Sequence, residues 1–241
     1  MNIPITQGCF GTSVLFSLDI CVYIIKLHAG HVIDNLLEIT MSISKLYVSG
    51  MENLKHNTIN EITAFNKTLN TYSYGYIVNG KPLIEPDDYS KYRTISPEDF
   101  AKYKVGVCWD YVAFEYTYFM KHFKNTNPRC FYIQCNTTNH VEPTHTWLGF
   151  EYNGKVYSFE SSWQSEQGIR EFDSVKAMLK YYKKAQLIFV SKQNMHCTGY
   201  TIREFKQPSK FNLGPEEYMQ YCLTHGKVLM EENFKFRLDS A

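Results

Sequence analysis

The stretch His145-Thr-Trp-Leu-Gly-Phe-Glu-Tyr-Asn-Gly-Lys-Val-Tyr-Ser-Phe-Glu160 decides the fold, because an Asn-Gly dipeptide stands between its two halves. Asn-Gly in that position is the strongest short-range signal for a β-hairpin with a two-residue turn. The turn at Asn153-Gly154 predicts that Tyr152 pairs with Lys155. In that register His145 and Glu160 are diagonal neighbours on one face of the hairpin, with Cβ atoms roughly 6 to 8 Å apart.

A carboxylate at that distance can accept a hydrogen bond from one nitrogen of the imidazole. The other ring nitrogen is then free to accept a proton from a nucleophile. A histidine beside a glutamate is also a common surface arrangement with little energetic consequence. The pair of His145 and Glu160 therefore gains a catalytic interpretation only if a nucleophile lies near it.

The sequence around Cys108 supplies a candidate nucleophile. Ser96-Pro-Glu-Asp has the form of a helix start, and Gly106 interrupts the chain just before the cysteine. A second helix is predicted to begin at Cys108, because apolar residues follow it at helical spacing: Val112, Tyr116, Phe119 and Phe123. Unpaired amides and the helix dipole at that end stabilise a thiolate. A cysteine taken alone is more often a small core residue, and that alternative stays open.

Taken together, Gly106-Val-Cys108, His145-Thr-Trp147 and Glu160-Ser-Ser-Trp163 resemble the ordered motifs of the transglutaminase-like superfamily. That family carries Gly-x-Cys at a helix start, His-x-Trp at the opening of a strand, and Asp-Pro-Thr-Trp or a similar motif at the end of the next strand. The resemblance covers roughly residues 94–165. Glu160 departs from the family pattern, since the third position there is usually an aspartate.

The resemblance implies an α+β fold with a papain/transglutaminase-like core, in which a helix carrying the cysteine packs on an antiparallel sheet carrying the histidine and the glutamate. It also implies that Cys108 is the nucleophile, that His145 is first base and then acid, and that Glu160 orients the imidazole. The Cys108 backbone amide is the predicted donor to the oxyanion. No Asn or Gln occurs between residues 80 and 107, so the sequence assigns no side-chain donor. Trp109 and Trp147 are predicted to contact substrate.

The implied function is that of a thiol-dependent, cysteine peptidase-like hydrolase, which cleaves an amide bond of a peptide or protein through a thioester acyl-enzyme. Transfer of the acyl group to an amine, or deamidation of glutamine, would use the same three residues. A catalytically silent domain that binds a protein partner is a further alternative. The resemblance implies no cofactor, and the sequence contains no calcium-loop pattern such as Asp-x-Asp-x-Asp-Gly.

A structural zinc site is a competing interpretation, since Cys130, Cys135, His140 and His145 follow one another at intervals of five. Residues 130–135 read as a β-strand. The odd separation would send the two thiols to opposite faces of that strand, so a shared metal would require a bulge. The sequence therefore predicts no metal site.

The composition limits the class of protein. The chain has 241 residues, of which 44% are hydrophobic and 20% charged, and a formal charge of +1 that gives no net attraction to nucleic acid or an anionic membrane. Its seven scattered cysteines favour free thiols in a reducing compartment. The apolar run at residues 14–25 contains Asp19 and is too short to span a bilayer, although a cleaved signal remains an alternative. We therefore expect a cytoplasmic protein whose partner is a peptide or protein substrate.

Two domains are predicted, an N-terminal and largely helical portion (1–90) and a catalytic core with a C-terminal extension (91–241). Apolar residues at helical spacing predict helices over residues 31–47 and 59–69, and Asn79-Gly80 predicts a hairpin turn. The polar, proline-containing stretch at residues 85–91 suggests the boundary. Beyond Trp163 the patterns predict a helix through residues 175–182, a core strand at residues 187–190 and a helix over residues 215–223 that ends near Gly226.

Overall fold

The computed structural model describes residues 58–86, 88–139 and 141–234. The chain divides into two units by its backbone contacts, residues 1–59 and residues 60–241. The helix predicted over residues 31–47 lies outside the described residues. Residues 60–90, assigned from the sequence to the N-terminal portion, belong to the same unit as residues 91–241.

A small sheet explains why the unit begins before residue 91. Its strands run in the order β2-β1-β3 and are Ser73–Val78 (β1), Lys81–Ile84 (β2) and Val105–Gly106 (β3). The predicted turn at Asn79-Gly80 is confirmed, since both residues have positive φ angles and join β1 to β2. β3 pairs in parallel with β1, which sets Tyr74 opposite Gly106. This pairing binds residues 73–78 to the chain just before Cys108.

The main sheet has six strands, all antiparallel, in the order β7-β6-β5-β4-β8-β9. They are Arg129–Thr137 (β4), Thr144–Tyr152 (β5), Lys155–Glu160 (β6), Gly168–Phe172 (β7), Cys197–Phe205 (β8) and Lys227–Asn233 (β9). The predicted hairpin register is confirmed, because Tyr152 pairs with Lys155 across Asn153 and Gly154. Those two turn residues have φ angles of 50° and 75°, the left-handed values that a type I′ turn requires.

Five helices accompany the two sheets in the described part of the chain: residues 58–69 (α1), Pro97–Tyr103 (α2), Cys108–His122 (α3), Val175–Lys192 (α4) and Pro215–His225 (α5). The α+β class is thereby confirmed. The predicted start of α2 is confirmed as well, since the backbone amide of Asp99 donates to the Ser96 hydroxyl. None of these helices has both the length and the apolar character needed to cross a membrane.

Helices cover both faces of the main sheet. In β5, Trp147 stacks on Tyr182 of α4 with ring centroids 4.1 Å apart, whereas Phe150 contacts Phe119 of α3 at 5.3 Å. Trp147 and Phe150 are three positions apart on one strand, so they point to opposite faces. The helix that begins at Cys108 thus packs on one face of the sheet, and α4 packs on the other.

One predicted element is wrong. Residues 187–190 were expected to form a core strand, but α4 continues through them to Lys192. A short apolar run fits a strand and a helix equally well, and the pattern of buried and exposed side chains distinguishes them. Val190 is buried while Ile188 and Phe189 are exposed, which is the one-sided pattern of a surface helix. The predicted end of α5 is confirmed, since its C-cap is Gly226.

Candidate active site

Cys108 lies in the first turn of α3, and the buried carboxylate of Asp110 fixes that turn. Asp110 Oδ2 accepts a hydrogen bond from the Val107 amide at 3.0 Å, while Oδ1 accepts from the Ile95 amide and the Tyr92 hydroxyl, each at 3.0 Å. Burial raises the pKa of Asp110 to about 7, against the opposing effect of its three donors. The helix start is therefore attached to residues 92–95, and Cys108 is held beneath the surface.

The structure brings His145 and Glu160 into direct contact. His145 Nε2 lies 2.7 Å from Glu160 Oε2, and both side chains are buried. Glu160 Oε1 is occupied separately, since it accepts from the Ser162 amide, the Ser162 hydroxyl and the Trp163 amide, each at 2.9 Å. Because an ionised carboxylate only accepts, Nε2 must carry the hydrogen of the 2.7 Å contact. Nδ1 is then the nitrogen available to another partner.

Cys108 is that partner. Burial alone would lower the pKa of His145, but the charge of Glu160 and hydrogen bonding to the Cys108 sulfur outweigh burial and raise the pKa to about 10. Burial pushes the pKa of Glu160 upward, yet the charge of His145 and the donors from residues 162 and 163 hold it below its ordinary value. These surroundings therefore stabilise the protonated imidazole beside a carboxylate, and the Cys108 sulfur lies at the other ring nitrogen.

A buried amide secures the turn that follows Glu160. Asn66 of α1 donates from Nδ2 to the Glu160 carbonyl at 2.9 Å and to the Ser161 hydroxyl at 3.1 Å. No local sequence pattern indicates this contact, because the partners are 94 and 95 positions apart. The carboxylate that orients His145 is thus held on one side by its own turn and on the other by α1.

A second acidic side chain lies behind the site. Glu115 is seven positions after Cys108 and so lies on the same face of α3. It is buried, and its Oε1 has no hydrogen-bond partner among the described residues. Burial raises the pKa of Glu115 well above its usual value, and the charge of Glu160 acts in the same direction. A neutral Glu115 leaves Glu160 as the carboxylate that balances the imidazolium.

A cleft of about 380 Å³ opens on His145. Aromatic and uncharged polar side chains make up most of its lining, which consists of Tyr74, Glu85, Pro86, Tyr89, Thr144, His145, Ser162, Trp163, Gln164, Gln186 and Phe189. The Trp163 ring meets the imidazole edge-on with centroids 4.9 Å apart, and Phe189 meets Trp163 at 5.7 Å. The cleft therefore offers mainly apolar and uncharged polar contacts, with Glu85 as its carboxylate.

The two tryptophans predicted to contact substrate lie elsewhere. Trp147 is 1% exposed and packs under α4, and Trp109 is 7% exposed and stacks on Tyr218 at 4.5 Å. Neither ring lines the cleft. Tyr74 does line the cleft, and no sequence pattern predicted this. The pairing of β1 with β3 is what brings its strand beside the helix that begins at Cys108.

The residues of the alternative zinc interpretation lie in different surroundings. The thiol of Cys130 accepts a hydrogen bond from Gln207 at 3.3 Å, whereas Cys135 lies beside Cys197. His145 is engaged by Glu160, and His140 is outside the described residues. Within the described ranges no group of three or more His, Cys, Asp or Glu side chains is arranged to hold a metal ion.

Comparison of the sequence with protein-family models and with curated proteins gives no match.

Proposed function

We propose that this protein is a cysteine-nucleophile hydrolase that cleaves an amide bond of a peptide or protein, using Cys108, His145 and Glu160 on a papain/transglutaminase-like core. The observation that carries the proposal is the 2.7 Å contact between His145 Nε2 and Glu160 Oε2, which leaves the other ring nitrogen for the Cys108 thiol. A surface histidine that meets a glutamate by chance would not be buried with it. Burial of all three groups costs free energy, which favours a functional reason for the arrangement.

The acylation step follows from these positions. His145 Nδ1 takes the proton of the thiol, and the Cys108 sulfur attacks the carbonyl carbon of the scissile amide. The carbonyl π electrons move to oxygen, and the resulting oxyanion accepts a hydrogen bond from the Cys108 backbone amide, which has no intrahelical partner in the first turn of α3. The carbon–nitrogen bond then breaks as the imidazolium returns the proton to the leaving amine.

Deacylation uses the same groups in the reverse order. A water molecule gives a proton to His145 and attacks the thioester carbon. The carbon–sulfur bond breaks as the imidazolium returns its proton to sulfur, and the product acid leaves. Glu160 stabilises the imidazolium in both half-reactions through the charge that raises its pKa. An amine in place of water would give transfer, and attack on the side-chain amide of glutamine followed by water would give deamidation.

The test is to incubate a peptide library with the wild-type protein, with Cys108→Ala and with Cys197→Ala as the matched control for loss of a thiol. Cys197 is partly buried in β8. Peptides are analysed by mass, and released ammonia is measured. Cleavage that requires Cys108 and not Cys197 is the expected result.

Other outcomes of this test would change the conclusion. Ammonia without cleavage would identify a deamidase, and a mass increase with an added amine would identify a transferase. Wild-type results identical to those of Cys108→Ala would refute catalysis and favour a domain that only binds a protein partner.

We also propose an intracellular location, with no cofactor and no nucleic-acid or membrane partner. The intracellular location is supported by the five cysteines in the described residues, at positions 108, 130, 135, 197 and 222, which are all free thiols. A thiol nucleophile works only while it is reduced, as the cytoplasm keeps it.

A further inference from the structure

The proposed mechanism has one backbone donor for the oxyanion, and enzymes of acyl transfer usually aim two or more donors at that charge. The sequence segment just before Cys108 has no amide side chain to provide the second. The fold, however, brings a different strand to the same place.

β1 runs beside the chain that leads into α3. Tyr74 is opposite Gly106 in the parallel pairing of β1 with β3, and Cys108 follows Gly106 by two residues. The Tyr74 carbonyl accepts from the Glu85 amide at 3.0 Å, so the backbone of this residue is held by β3 on one side and by the end of β2 on the other. The Tyr74 side chain lines the cleft together with His145.

The hydroxyl end of Tyr74 lies at Cys108. The side chain as a whole is 36% exposed, yet burial is the main reason that the pKa of its phenol is raised well above the ordinary value, so the hydroxyl is the buried end. The charge of Cys108 and a hydrogen bond to its sulfur act in the same direction, while hydrogen bonding to the Cys108 backbone amide opposes them. The phenol is therefore neutral throughout the physiological pH range and retains a proton that it can donate.

We propose that Tyr74 is a catalytic residue whose hydroxyl donates the second hydrogen bond to the oxyanion, next to the backbone amide of Cys108. This inference rests on the proposed function and adds a group that the sequence did not indicate. In the free protein the amide and the phenol face each other. When a substrate carbonyl enters between them, both donate to its oxygen, and the exposed part of the Tyr74 ring allows the small displacement this needs.

Two reagents that need no knowledge of the natural substrate test the inference. p-Nitrophenyl acetate acylates a thiolate through a tetrahedral oxyanion and releases p-nitrophenolate, whereas iodoacetamide alkylates a thiolate by displacement of iodide at saturated carbon, without an oxyanion. Single-turnover rates at Cys108 are measured for the wild type, Tyr74→Phe and the matched control Tyr157→Phe. Tyr157 lies in β6, and its replacement by phenylalanine removes a hydrogen bond to Glu171 of the neighbouring strand β7. Cys108→Ala gives the background.

The expected result is that Tyr74→Phe slows acylation on the order of 10-fold or more, since loss of one oxyanion donor costs about 10²–10³ in established cases and an activated ester depends on it less. Alkylation by iodoacetamide slows much less than acylation, because displacement at saturated carbon forms no oxyanion, and Tyr157→Phe changes neither rate. Retained alkylation also shows that the variant is folded around an intact thiol.

Three results would overturn the inference. Equal slowing of both reactions would mean that Tyr74 acts on the thiol, faster acylation would mean that it obstructs the site, and no change would mean that it has no part. Failure of the wild type to exceed Cys108→Ala with either reagent is a separate outcome, because it would refute the proposed function itself.

Discussion

Replacement of Glu160 by glutamine tests how the imidazole is oriented. The variant changes one oxygen to an amino group and keeps the shape of the side chain. Glu160 Oε1 accepts three hydrogen bonds and Oε2 accepts one, from His145. The single carbonyl oxygen of glutamine satisfies more donors at the Oε1 position, so its amino group faces His145. Two donors cannot share a hydrogen bond, and the imidazole must move its hydrogen from Nε2 to Nδ1.

The size of the effect follows from that tautomer. With a hydrogen on Nδ1 the neutral imidazole cannot take the thiol proton, and we expect kcat to fall by about 10⁴-fold, the effect of a wrong tautomer in a Ser-His-Asp triad. In free energy this is about 5.5 kcal/mol of barrier. The charge of Glu160 is the largest contribution that raises the pKa of His145 to about 10, so its loss removes a major stabilisation of the imidazolium.

The assay is the single-turnover acylation of Cys108 by p-nitrophenyl acetate over a range of pH. Glu160→Gln should lower the rate and move the pKa of His145 down from about 10, because the carboxylate charge that raises this pKa is lost. Glu171→Gln is the control, because this half-exposed carboxylate accepts a hydrogen bond from Tyr157 and pairs with Lys155, away from the site. An acylation rate for Glu160→Gln within 10-fold of the wild type would refute the orienting role.

Three further predictions concern stability. The raised pKa of His145 contributes stability that is complete below about pH 6.5 and is lost as the pH rises through about 10. In urea titrations, the difference in unfolding free energy between the wild type and His145→Gln should therefore decrease across this pH range. A difference that stays constant with pH would contradict the prediction. Asp110→Asn places an amino group opposite a backbone amide donor, for example that of Val107, and should lower the free energy of unfolding by about 1–3 kcal/mol. An unchanged urea midpoint would argue against the role of Asp110 in fixing the start of α3. Phe119→Ala in the core should cost about 3–5 kcal/mol, whereas exposed Ile188→Ala should cost about 0.5 kcal/mol or less, and equal losses would disprove the assigned burial.

The parts of the fold that the sequence predicts are those with local causes. Asn153-Gly154 admits the left-handed angles that its turn needs, and the turn fixes the register of the whole hairpin. Ser96 and the apolar spacing after Cys108 likewise act within a few residues. The relation of His145 to Glu160 follows from the register alone, which is why two thirds of the candidate triad can be placed from one stretch of chain.

The remaining features depend on contacts between distant segments. Asn66 reaches the turn after Glu160 from another helix, and Tyr74 reaches Cys108 through a two-residue parallel pairing. No local pattern encodes either contact. Trp147 was predicted to contact substrate, but it is buried under α4. That helix begins 28 positions later, at Val175, so the burial could not be predicted from the local sequence.

The clamp from α1 to the turn after Glu160 sets a minimum length for any shortened version of the protein. A fragment starting at residue 91 would retain sulfur, imidazole and carboxylate in their original order. It would lack Asn66 and the entire strand that carries Tyr74. Deletion from the amino terminus should therefore abolish activity before it reaches the segment with the recognisable motifs. The boundary of the active unit is set by the helix and the strand that hold the site in place.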